Sequence, residues 1–205
     1  MRRILLFLSL LFLFSCSAQE QGDDISSASE IAPVERTFFG SDVRDKNLGT
    51  DFVLPATTGK LIALHDTQGK ITVLVFGYAH CPDVCPTNLL TYADALKMLG
   101  EQEKNVQLYF ITVDPERDTL DAMKSYVTIF NKSFIGLVAD NDKTLQEVKD
   151  AWQIVAQKVP REDGNYLVDH SAGTYILDKD GRTVLYEPHG MSAQQLADDI
   201  ELLLK

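Results

Sequence analysis

Ile71-Thr72-Val73-Leu74-Val75-Phe76-Gly77-Tyr78-Ala79-His80-Cys81-Pro82-Asp83-Val84-Cys85-Pro86 is the stretch that decides the fold. Its first six residues form a continuous β-branched and aromatic run, the pattern of a strand buried on both faces. Beyond Pro86, Thr87 to Leu99 carries apolar residues at helical spacing, with Leu89, Leu90, Ala93, Leu96 and Met98-Leu99 inward and Gly100 as a stop. Two cysteines therefore lie in a loop between a buried strand and a helix, where α/β folds place reactive groups. A helix start exposes unpaired N–H groups and the positive end of its dipole. Both favour thiolate, the form that attacks disulfides and binds metal. Pro82 and Pro86 restrict the loop backbone and hold the sulfurs in place. Residues four apart on a helical turn have Cβ atoms roughly 5–6 Å apart. At that distance one metal ion can bridge the sulfurs, and a disulfide can close after modest adjustment. Two inert buried cysteines would not need prolines around them.

Working outward, Phe52-Val53-Leu54 and Leu61-Ile62-Ala63-Leu64, joined through Pro55 to Lys60, read as a β-hairpin. Val106 to Val113 is a second buried strand. Asp118 or Thr119 can cap a helix to about Phe130 with Ala122, Met123, Tyr126 and Ile129 inward. Phe134 to Val138 is a short strand, and Asp142 caps a helix through about Trp152. Thr174 to Leu177 and Thr183 to Tyr186, separated by Asp178-Lys179-Asp180-Gly181, give a strong hairpin signal. Ser192 with Gln195 three residues on is a capping box opening a last helix, Ala193 to Leu204. Alternating elements of this kind predict an α/β domain with a mixed central sheet flanked by helices and an N-terminal β-hairpin extension.

Three segments then resemble one family. Gly77 to Pro86, with its Cys-Pro-Asp-Val-Cys-Pro, is similar to the signature of the Sco/SenC proteins. Val113-Asp114-Pro115-Glu116-Arg117-Asp118 resembles its second motif. Val168-Asp169-His170-Ser171, followed by Tyr175-Ile176-Leu177-Asp178, resembles its third. A lone Cys-x-x-x-Cys says little; three motifs in order say much more. The resemblance implies a thioredoxin-like fold and one copper held by Cys81, Cys85 and His170. It also implies work on the binuclear CuA site of cytochrome c oxidase, either by supplying copper or by keeping that site's cysteines reduced. Ala79 and Leu120 depart from the family's usual Thr and Pro, and neither is an expected ligand.

His170 fits the role by position, in a loop directly before the Thr174–Leu177 strand. Thioredoxin-type oxidoreductases keep a cis-proline near the place of Ala172, and this chain has none there. Two thiolates and an imidazole suit copper in either oxidation state, Cu(I) or Cu(II). Cu(II) prefers a fourth donor, for which Asp83 and water are candidates. Zinc is the competing metal, but its structural sites have four protein ligands. His80 is expected to be a neighbour of the site, His65 and His189 surface residues. Met98 and Met123 are expected in the core rather than on a metal. Asp114, Glu116 and Arg117 are expected to have a structural or docking role, which an ion pair bracing the cysteine loop would explain.

The start of the chain bears on its compartment. Arg2-Arg3 precede the apolar run Ile4 to Phe14, too short for a membrane span, which needs roughly 20 apolar residues. Residues 1–15 therefore read as a secretory signal peptide. Leu13-Phe14-Ser15-Cys16 resembles a bacterial lipoprotein box, which implies cleavage before Cys16 and its acylation. An ordinary signal peptide or an uncleaved anchor, with Cys16 incidental, is the alternative. Residues 16–36 are polar and acidic and read as a tether, and residues 37–205 as one domain. The expected localisation is exported and membrane-anchored. Loss of Arg2 and Arg3 leaves 17 basic against 30 acidic residues, a net charge of −13 that argues against nucleic acid as a partner.

Two functions follow from the same residues. A copper chaperone would pass its metal to a cytochrome c oxidase copper-site subunit or another copper protein. A thiol–disulfide reductase would use Cys81 and Cys85 as a redox pair on such a partner, without turnover chemistry of its own and without a need for His170. A peroxidase on this fold lacks its Thr and Arg beside the cysteine, and a redox or copper sensor would need a signalling partner that nothing here names.

Overall fold

A computed structural model describes residues 37–205, all within one compact unit. Ten strands and four helices follow in order: β1 (Ser41–Asp42), β2 (Val53–Pro55), β3 (Leu61–Ala63), β4 (Ile71–Gly77), α1 (Val84–Met98), β5 (Val106–Thr112), α2 (Leu120–Phe130), β6 (Ile135–Leu137), α3 (Asp142–Ala151), β7 (Ala156–Pro160), β8 (Tyr166–His170), β9 (Thr174–Leu177), β10 (Thr183–Glu187) and α4 (Ala193–Leu204). The main sheet has the order β1-β10-β9-β4-β5-β6. β4, β5 and β6 run parallel, and β9, β10 and β1 add antiparallel neighbours on the other side. This is the mixed sheet that the alternation of elements predicts. The β2–β3 hairpin stands apart as the expected N-terminal extension, tied to β6 by a bridge between Ala56 and Leu137.

The continuous apolar runs have the burial they imply. All seven residues of β4 are buried, and in β5 only Gln107 is not. The Asp178-Lys179-Asp180-Gly181 turn closes β9 on β10, with Gly181 at a φ of +81° that its place in the turn requires. Thr119 caps α2 by accepting from the Ala122 N–H, and Ser192 and Gln195 form the expected capping box on α4. α1 packs against α4 and α2 against β6.

Several sequence expectations need correction. α1 starts at Val84, three residues before Thr87, because a proline in the first helical turn forfeits only an N–H that has no intrahelical partner. Asn141, not Asp142, caps α3. Leu90, Met98 and Ile129 are exposed rather than inward, while Met123 is fully buried as expected. A second hairpin, β7 with β8, adds to the predicted elements, and His170, expected in a loop, is instead the last residue of β8.

Candidate metal centre

β4 delivers the chain to the site. Its last residue, Gly77, is followed by the turn Tyr78-Ala79-His80, then half-buried Cys81, exposed Pro82 and Asp83, and α1. Cys85 is the second residue of that helix and only 2% exposed. No side chain of Asp83 caps α1. The Cys81 sulfur accepts from the Cys85 N–H at 3.4 Å and so takes the place of a cap. Free N–H groups at a helix start stabilise negative charge, which is the physical reason for a sulfur there.

His170 comes in from β8. Its Nδ1 lies 2.8 Å from the Ser171 carbonyl oxygen, which can only accept, so Nδ1 donates its hydrogen there. Nε2 is left with its lone pair 3.4 Å from Cys85 Sγ. The Tyr78 ring meets the imidazole edge to face at 5.8 Å. The ligand atoms of Cys81, Cys85 and His170 all lie within 4.8 Å of one another, the one group of this kind among the described residues. The geometry thus brings together the three residues named from the sequence. Asp83 is exposed and outside the group. His80 turns its Nδ1 to Asp118, at 3.2 Å, and His65 pairs with Asp51. Cys16 lies outside the described residues.

The two cysteines are free thiols that share a proton unequally. A hydrogen bond from Cys85 pulls the Cys81 thiol down to about 3, against the effect of partial burial and with help from the backbone N–H groups at the helix start. The hydrogen bond to Cys81 and burial push Cys85 well above the ordinary thiol range. Cys81 is thus the accessible thiolate and Cys85 the protonated thiol behind it. Two soft sulfurs and one imidazole nitrogen converging in this way fit copper, for which three donors suffice in the Cu(I) state.

Supporting residues were only partly legible. Buried Asp118 accepts from the Ala79 N–H at 2.8 Å and the Thr112 hydroxyl at 2.7 Å, and so pins the turn before Cys81. For Asp114, Glu116 and Arg117 an ion pair bracing that same loop was the expected structural role. Their hydrogen bonds and ion pairs go to Tyr166 and Lys158 of the β7–β8 hairpin, while the Arg117 guanidinium also lies 5.8 Å from the ring centroid of Tyr78 in that turn. The cysteine loop is braced instead by Asp118, from the same motif. Gly77 is required by close packing, since a Cβ there would sit 2.7 Å from Cys85 Sγ and 2.7 Å from Phe110 Cζ.

The chain is 31% identical over 153 residues to an SCO2-like protein of Rickettsia prowazekii, covering 74% of each chain. It is 37% identical over 153 residues to the mitochondrial SCO2 homologue of Bos taurus, covering 73% of this chain and 57% of that one. Among solved structures, copper-bound ScoI of Bradyrhizobium japonicum superposes with a TM-score of 0.71 at 36% identity, over 76% of this chain and 99% of its own. The mixed sheet and flanking helices are those of the thioredoxin-like Sco structures. The SCO1/SenC family model matches residues 41–205, from β1 to the last residue and across all three motifs, and the chain is a member of the SCO1/SenC family.

Proposed function

We propose that this chain is a copper chaperone that carries one copper on Cys81, Cys85 and His170. Its recipient is the copper-site subunit of cytochrome c oxidase, or another copper protein, as the family resemblance implies. The observation that carries the reading is the convergence of two sulfurs and an Nε2 lone pair within 4.8 Å. Copper-bound structures of ScoI proteins from Bradyrhizobium japonicum and Arabidopsis thaliana, at 36% and 32% identity, support copper as the cargo. Half-buried Cys81 and His170 are the donors a partner's ligand can reach, while buried Cys85 holds the ion from behind. No described helix is long and apolar enough to cross a membrane. Export behind residues 1–15, a lipid on Cys16 and a tether through residue 36 would place residues 37–205 at a membrane surface outside the cytoplasm.

The reductase reading has one observation in its favour: an accessible thiolate in front of a buried thiol. In that reading Cys81 attacks a partner disulfide and releases one partner thiolate. Cys85 then attacks Cys81, releases the second partner thiol and leaves a Cys81–Cys85 disulfide, so two electrons pass to the partner. The electron balance of those steps does not require His170. The test is a titration of the full chain in detergent, reduced, with Cu(I) and Cu(II), beside His170→Ala. One copper per chain, with thiolate-to-Cu(II) charge-transfer absorption lost in the variant, supports the chaperone. Weak binding indifferent to His170, with facile disulfide closure, leaves the reductase.

A further inference from the structure

The strand that carries His170 is not part of the main sheet. β7 and β8 form a two-stranded sheet of their own, so no ladder hydrogen bond ties His170 to the cysteine-bearing β4–α1 junction. A two-stranded hairpin is marginally stable by itself. The position of His170 is therefore set by the short link of residues 171–173 to β9, which pairs with β4, and by side-chain contacts along β8. Alternate residues of a strand share a face, and on β8 these are Tyr166, Val168 and His170. Val168 is buried, Tyr166 and His170 are half-buried, and of the residues between them Asp169 is exposed and Leu167 half-buried.

Each of the three meets a group from the body of the protein. His170 meets the Tyr78 ring and the thiols. Val168 enters the core, and its N–H donates to the Tyr78 hydroxyl at 3.2 Å. Tyr166 is held from three directions. The Arg117 guanidinium lies 3.7 Å from its ring centroid and donates from Nη1 to its carbonyl oxygen at 3.0 Å. Its hydroxyl donates to buried Asp114 at 2.8 Å, and Asp114 in turn accepts from Arg117 Nε at 2.5 Å. Lys158 of β7 lies over the same ring at 4.6 Å and pairs with Glu116. Arg117 can do all this because its planar fork offers separate donors and a stacking face.

We propose that Asp114, Arg117 and Tyr166 form a clamp that fixes β8 in place, so that His170, four residues on, is presented to the two thiols. They are positioning residues for the third ligand, an inference that rests on reading His170 as a copper ligand. Cu(I) is served largely by the two soft thiolates, whereas Cu(II) depends on the imidazole, so the clamp governs Cu(II) more than Cu(I). Removing outer support of a metal ligand typically lowers affinity about 10–100-fold.

The experiment compares the full chain in detergent with Tyr166→Ala and Tyr166→Phe. Backbone amide exchange is measured without metal, and Cu(I) and Cu(II) affinities by competition. For Tyr166→Ala the expected result is faster exchange confined to β7 and β8, with β4 and β5 unchanged. Cu(II) affinity should fall about 10–100-fold while Cu(I) affinity changes by less than about threefold. Tyr166→Phe keeps the ring under Arg117 and should restore most of both. Arg117→Lys, which keeps a charge on Asp114 but loses the fork and the stack, should act in the same direction as the alanine. Unchanged exchange and unchanged Cu(II) affinity in Tyr166→Ala would overturn the clamp. So would an equal loss of both copper states with faster exchange throughout, which a merely structural role gives. Cu(II) binding indifferent to His170→Ala would instead overturn the ligand reading, while the exchange measurement would still decide the clamp.

Discussion

Replacing Gly77 by alanine should damage the site and the fold together, by separable amounts. The added Cβ would lie 2.7 Å from Cys85 Sγ and 2.7 and 2.9 Å from Phe110 Cζ and Cε2. Carbon contacts are comfortable at about 3.5–4.0 Å, so each neighbour is about 1 Å too close. Gly77 is not among the glycines at positive φ, so the effect is steric rather than conformational. Neither neighbour can yield easily: Phe110 is fully buried in β5, and Cys85 is fixed in the first turn of α1. Overpacking of this kind costs about 1–3 kcal/mol. In a domain of this size that lowers Tm by about 2–12 °C. Displacing the Cys85 sulfur should also weaken copper binding by about tenfold or more. The assay is a thermal melt and a Cu(I) competition titration of Gly77→Ala, Phe110→Leu and the double variant. The double variant removes the ring contact but not the sulfur contact. It should therefore recover stability relative to the sum of the single changes, by about 0.5–3 kcal/mol, and recover no copper affinity. Wild-type Tm and wild-type copper affinity in Gly77→Ala would refute this account of the packing.

Cys81, held as thiolate down to about pH 3 by the Cys85 hydrogen bond, should be alkylated by iodoacetamide at a rate nearly flat from pH 8 to pH 5. Cys85, buried and protonated, should stay unlabelled in the native chain, as peptide mapping by mass spectrometry can check. Glu187 is 1% exposed, and burial raises its carboxyl from 4.5 to about 8 even though Tyr92 donates to it at 2.8 Å. The folded chain thus keeps a proton that the unfolded chain has lost. Stability from this group is complete below about pH 4.5, declines as pH rises and is gone by about pH 8, with a slope of at most about 1.4 kcal/mol per pH unit. Glu187→Gln should remove that slope and gain on the wild type from pH 5 to pH 8, as urea midpoints at the two pH values will show.

What the sequence reveals here follows from how local each signal is. Ile71–Phe76 and Val106–Val113 are buried on both faces, and such strands announce themselves as unbroken apolar runs. The turn at Asp178–Gly181 and the box at Ser192 and Gln195 are equally local. The β7–β8 hairpin is buried on one face only, and Lys158, Asp169 and the Arg161-Glu162-Asp163-Gly164 turn made it look like a loop. The signal was present in the alternation of Tyr166, Val168 and His170 and in the Asp163-Gly164 pair. β1 has only two residues and exists because β10 offers an edge, which no local pattern reveals. At the centre itself, the cysteine pair was legible from its place between a buried strand and a helix, whereas His170 was named through the resemblance of the three motifs. The roles of Asp118 and Arg117 were not legible. Both lie in one motif, and only the folded chain shows that one holds the cysteine turn and the other the histidine hairpin.

X-ray absorption at the copper edge of the full chain, loaded with one equivalent of Cu(I), bears most directly on the centre. The geometry of Cys81, Cys85 and His170 predicts two sulfur scatterers and one imidazole nitrogen per copper, with the imidazole's outer-shell scattering lost in His170→Ala. Two sulfurs with no imidazole, or a copper-to-copper distance from a two-copper cluster shared between chains, would contradict it.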